Sequence, residues 1–143
     1  MYDIINKRDY MNIYLDFDGT VVESDYPRIG QYNSGCFDVL RKLQQAQHTI
    51  ILNSYRNELN NGTKEAAMEY LNRPANNLQP ITQSTINKIL PVEFNIIQFI
   101  EQGNVMIDDL SKGVPLIIGR VKTDTSIIDW LKLDRIFKEN KIY

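Results

Sequence analysis

The chain predicts a single α/β domain, a mainly parallel sheet with helices on both faces. Three observations lead there. Short β-prone runs at residues 12–17, 48–54 and 104–107 alternate with amphipathic stretches, the pattern of strands joined by helical crossovers. Each run ends in polar functional groups: Asp16 with Asp18, Ser54, and Asp108 with Asp109. The 143 residues, 43% hydrophobic and 24% charged, suit one globular domain over residues 1–143.

Residues 12–17, NIYLDF, form an apolar run suited to a strand buried on both faces. Residues 20–35 are rich in Pro, Gly, Ser and Asn and read as an irregular loop or small flap. Residues 37–46 set Phe37, Val39, Leu40 and Leu43 at helical spacing. Residues 48–54, HTIILNS, make a second strand, and His48, the only histidine, reads as a surface or turn residue. A helix follows over 63–72, with Thr63 as N-cap, Glu65 in the first turn and Ala66, Ala67, Tyr70 and Leu71 as its buried stripe. Pro74 stops it.

A short strand is expected in 78–82. Residues 84–102 are partly helical, interrupted by Pro91, with Ile96, Ile97, Phe99 and Ile100 on the apolar face. Residues 104–107 form the third clear strand. Gly113 and Pro115 mark a turn, and 114–118 is a fourth strand. An amphipathic helix over 131–141 turns Leu133, Ile136 and Phe137 inward, with Trp130 packing nearby.

Composition narrows the function classes. A lone cysteine, Cys36, excludes an intrachain disulfide and any multi-cysteine zinc site. A net charge of −2 lacks the basic footprint of generic nucleic-acid binding, so no nucleic-acid partner is expected. The start, MYDIINKRDY, has no apolar h-region, and the longest apolar runs, such as 114–118, fall far short of the ~20 residues of a membrane helix. A soluble, cytoplasmic protein with no membrane partner is expected.

Ligands of such sheets bind at the carboxyl ends of the strands, where the polar groups converge. In DFDGT, residues 16–20, two carboxylates stand two residues apart at a strand end. Gly19 permits the turn that aims both at one site. One carboxylate can attack phosphorus and form an aspartyl phosphate, and its neighbour can move a proton to the leaving oxygen and from the attacking water. Two anions repel an anionic ester, so a cation is needed. Asp108 and Asp109 supply hard oxygen ligands suited to magnesium, and Ser54 offers a hydroxyl to a phosphoryl oxygen.

LDFDGT, then ILNSYR, then VMIDDL resembles the haloacid-dehalogenase (HAD) superfamily of phosphotransferases, most closely its small capless members. Pro27 to Gly30 is similar to their flap, Ser54 to Arg56 to their S-x-R element, and Gly113 to Pro115 to their final turn. The resemblance spans about residues 11–130 and implies a Rossmann-like three-layer αβα fold. It implies Asp16 as nucleophile and Asp18 as general acid and base. It implies magnesium held by Asp16, the Asp18 carbonyl and Asp108, with Asp109 ligating through water or orienting Asp108. Ser54 would bind the transferring phosphoryl group, beside Gly19 and Tyr55. Arg56 is a further positive group toward substrate.

The family also uses a lysine beside the nucleophile. No lysine lies in EFNIIQFIEQGNVMI, just before Asp108. Lys88, 20 residues upstream, is the nearest candidate there, and Lys112 follows the acidic pair. The 33 residues between Thr20 and Ser54, and the 53 between Ser54 and Asp108, leave no room for a cap domain. An open site suits a larger phosphorylated substrate, or a small one enclosed by a partner subunit of a homo-oligomer.

The expected function is therefore magnesium-dependent phosphomonoester hydrolysis. The alternative is a catalytically weak or inactive HAD-like binding module. A phosphoacceptor switch is disfavoured, because in receiver domains the acidic pair comes first and the phosphorylated Asp later.

Overall fold

The computed structural model describes residues 10–83 and 95–143. In chain order the elements are β1 (Asn12–Leu15), α1 (Cys36–Gln45), β2 (Thr49–Leu52), α2 (Thr63–Leu71), β3 (Thr82–Gln83), α3 (Ile96–Gln102), β4 (Asn104–Ile107), β5 (Leu116–Ile118), β6 (Ser126–Ile128) and α4 (Trp130–Glu139).

Four strands make a parallel sheet in the order β3-β2-β1-β4. Asn12 to Leu15 run in register with Thr49 to Leu52 on one side and Asn104 to Ile107 on the other. From β1 the chain moves outward through β2 to β3, then returns to β4 on the far side of β1. Helices flank this sheet, α1 against β2 and α3 against β4, in keeping with the three-layer fold expected. Among the described residues neither long connection holds a separate folded unit, and no cap is present.

The helices form for local reasons. In α1, Cys36, Val39, Leu40 and Leu43 fall on one face and are all buried. In α3, Asn95 accepts from the Gln98 amide while the Gln98 side chain accepts from the Asn95 amide, both at 2.9 Å, a reciprocal capping box. Gly103, with φ 77°, ends that helix in the left-handed conformation glycine favours. Asp129 caps α4 through the Lys132 amide, and Trp130, Leu133 and Phe137 drive into the core. Helix α2 starts differently from expectation. Gly62 holds the cap position and Thr63 lies inside the first turn, its amide and hydroxyl both donating to Asn61 Oδ1. Ala67 and Leu71 are buried as expected, whereas Ala66 and Tyr70 are half-buried.

Segment 114–118 does not join the main sheet. Only eight residues separate β4 from β5, and a parallel crossover needs about a dozen or more. Instead β5 pairs antiparallel with β6, a three-residue strand too short to signal itself in the sequence. Glu23, 2% exposed, anchors this hairpin to the flap: its carboxylate accepts from the amides of Arg120, Val121 and Lys122 at 3.1, 3.0 and 3.4 Å.

His48 is also placed differently from expectation. It is buried; Nδ1 accepts the Met11 amide proton at 3.0 Å, and Nε2 stands 2.9 Å from the Ile142 carbonyl. A single neutral tautomer, with the proton on Nε2, satisfies both bonds. No helix among the described residues is long and apolar enough to cross a membrane.

Candidate active site

The site forms where the strand order reverses, between the carboxyl ends of β1 and β4. The Asp16 amide donates to the Ile107 carbonyl at 2.9 Å, and the Asn53 amide to the Leu15 carbonyl at 2.7 Å. Asp16 therefore stands one step beyond β1, flanked by Asn53 on one side and Asp108 on the other. Sheet hydrogen bonding thus fixes this carboxylate on the rigid part of the fold.

Carboxylate oxygens of Asp16, Asp108 and Asp109 all lie within 4.8 Å of one another. The Thr20 hydroxyl donates to Asp16 Oδ2 at 3.3 Å, and the Leu110 amide to Asp108 Oδ1 at 2.9 Å. Burial pushes the Asp16 carboxyl well above the usual range, and the charges of Asp108 and Asp109 push the same way. Asp109 is raised to about 6, first by burial and then by the Asp108 charge. Among the described residues, no lysine or arginine forms an ion pair with any of the three. This is a pocket of crowded negative charge built from hard oxygen donors. Such a set could hold a hard metal cation.

Gly19 shapes the pocket twice. Its φ of 83° lies in the left-handed region, and a Cβ there would come 2.5 Å from Asp109 Oδ2. Gly19→Ala is therefore expected to lower stability by about 1–3 kcal/mol and to displace Asp109. The unfolding midpoint in urea, with and without magnesium, checks both. An unchanged midpoint with unchanged cation stabilisation would contradict the placement.

Asp18 lies beside this cluster but is held separately. Arg56 grips it with two parallel bonds, Nε to Oδ2 and Nη2 to Oδ1, each 2.8 Å. The Arg56 side chain is 1% exposed and that of Asp18 20%. Arg56, expected to face substrate, thus points inward. Ser54 is buried; its hydroxyl oxygen accepts from the Arg56 amide at 3.2 Å and caps the single 3₁₀ turn Tyr55–Glu58. Tyr55 is 71% exposed at that turn, and Leu110, just after the acidic pair, is 77% exposed. Tyr32 is engaged at the start of α1. Its hydroxyl accepts from the Phe37 amide and its ring packs on Phe37. Lys88 lies outside the described residues. Lys112 is exposed.

Two contributors were missed in the sequence. Thr20, fully buried, bonds to Asp16, and its carbonyl accepts from Trp130 Nε1 at 2.8 Å and Asn33 Nδ2 at 3.0 Å. Asn33 also donates to the Ile128 carbonyl at 2.8 Å, tying the loop to β6. The DFDGT motif contains Thr20, so that signal was available; a buried asparagine 13 residues away carries none.

No family model matches the chain, and no curated protein matches it. Among solved structures the chain is similar to a conserved protein from Bacteroides thetaiotaomicron, at 26% identity and a TM-score of 0.59. The two share one fold. The similarity covers 91% of each chain.

Proposed function

We propose that the protein is a magnesium-dependent phosphomonoester hydrolase that works through an aspartyl phosphate on Asp16. One observation carries this reading above the others. Three carboxylates from two adjacent strand ends meet at the switch point of a parallel sheet, with Asp18 two residues past the first. The resemblance of LDFDGT and VMIDDL to the HAD superfamily supports it.

In the first step an Asp16 oxygen attacks phosphorus, and the bond to the ester oxygen breaks. Asp18 donates the proton that the leaving alcohol takes up. In the second step Asp18 accepts a proton from water as that water attacks the aspartyl phosphate. Inorganic phosphate leaves, and Asp16 is restored as a carboxylate. Ser54 and the backbone at Gly19 and Tyr55 would hold the transferring phosphoryl oxygens. Asp16, Asp108 and Asp109 would hold magnesium, with the Asp18 carbonyl. The bound ion neutralises the carboxylates and the charge that develops on the phosphoryl group.

The test is phosphate release from a generic aryl phosphate, with magnesium and with chelator, on wild type and Asp16→Asn. Magnesium-dependent release that disappears in the variant supports the hydrolase. Full activity in the variant ends it.

A second reading has one observation in its favour: among the described residues no cation stands against the acidic cluster. A binding module of the same fold would then take up magnesium or phosphate without turnover. Cation binding with no release across a broad phosphoester panel would select it.

A further inference from the structure

We propose that Arg56 is a positioning residue that straps the Asp18 carboxylate and the flap backbone onto the frame of β2 and α2. The geometry is unusually complete. All five guanidinium N–H donors are engaged. Nε and Nη2 hold the two Asp18 oxygens, Nη2 also reaches the Arg28 carbonyl at 2.8 Å, and Nη1 reaches the carbonyls of Thr63 at 3.2 Å and Pro27 at 3.5 Å. The guanidinium lies over the rings of Phe17 and Tyr26, 5.0 and 5.2 Å from their centroids. The Tyr26 ring is in turn held by Asn61 Nδ2, which donates to its hydroxyl at 2.8 Å.

Four pieces of chain meet at this one side chain. Asp18 follows β1, Pro27 and Arg28 belong to the flap, Thr63 opens α2, and Arg56 itself follows β2. Among the described residues no cap closes over the site. A planar, doubly bonded guanidinium orders the Asp18 carboxylate in advance, at a fixed angle that a lysine cannot reproduce. Each Asp18 oxygen keeps a second lone pair for its own chemistry. The catalytic consequence rests on the hydrolase reading above; the strap itself does not.

The experiment compares wild type with Arg56→Lys, which keeps the charge and loses the fork. Hydrogen exchange of the flap amides, residues 23–32, is measured alongside those of β1 and β4. Turnover is measured on two phosphate esters, one with a nitrophenol leaving group and one with a simple alcohol. Expected are flap exchange at least about tenfold faster with β1 and β4 unchanged, and a kcat loss of about 10–100-fold on the alcohol ester. The nitrophenyl ester should suffer less, because its leaving group needs the Asp18 proton less, and KM should hold steady.

Unchanged flap exchange overturns the strap. Faster exchange throughout the domain also overturns it, leaving Arg56 a general fold residue. A raised KM with kcat intact makes Arg56 a substrate-binding group instead. Absence of turnover in wild type defeats the hydrolase reading, and the flap exchange then supports or overturns the strap alone.

Discussion

Asp16→Asn is expected to abolish turnover while making the metal-free protein more stable. The loss should reach about 10⁴-fold or more, since an amide does not replace the attacking carboxylate. The gain in stability comes from the same side chain. Asp16 is partly buried among three carboxylates that crowd within 4.8 Å, and burial and repulsion both hold its carboxyl above the usual range; deleting its charge relieves both the desolvation and the repulsion. A melting temperature in chelator several degrees above wild type is expected. A folding defect moves activity and stability in one direction; loss of a nucleophile from a charged pocket moves them in opposite directions. Thermal unfolding and phosphate release on the same preparations check this. A variant both inactive and less stable in chelator contradicts the arrangement.

Magnesium is expected to raise the melting temperature at pH 7.5 by about 5–10 °C at 100 times its dissociation constant, from ~2.7 kcal/mol of linked binding. The effect should fade on acidification. Asp16 and Asp109 titrate higher in the folded chain than the ordinary carboxylate near 3.9. Between that value and about 6, where Asp109 titrates, the folded state binds more protons than the unfolded one. Stability in chelator must then fall as pH rises through this window and recover as pH drops. Protons and magnesium compete for the same oxygens, so the cation's benefit is largest above pH 6 and small near pH 4. Asp25, Glu69 and Asp134, which basic or hydroxyl partners hold below the usual range, act the other way and lose their contribution under more acid conditions. Melting curves from pH 4 to 8, with magnesium and with chelator, test this. Parallel curves at constant separation would place the cation elsewhere.

The parts of this site that lie within one stretch of chain were legible in the sequence. Asp16, Asp18 and Gly19 declare themselves because a strand, a turn and two carboxylates occur within five residues. Asp108 and Asp109 do so because they end another strand, and parallel topology sends strand ends to the same edge. What escaped are pairings across the fold. Arg56 reads as a group for substrate until a carboxylate 38 residues away is seen to occupy it. His48 reads as a surface residue until its partners 37 and 94 residues distant are known. The β5–β6 hairpin was missed for a different reason: pairing of three-residue strands is decided by the short connection after β4, not by local propensity.

The same His48 bridge bears on how the molecule can be joined to others. Met11 precedes β1 and Ile142 follows α4, yet one imidazole spans them. Asp16 stands past the opposite end of β1, about 16–17 Å from Met11 along the strand. The two ends of the described domain thus meet at the pole remote from the carboxylates. A short peptide could link them and new ends be opened elsewhere, as in circular permutation. An immobilising tether placed beside Met11 or Ile142 would leave the carboxyl edge of the sheet facing outward.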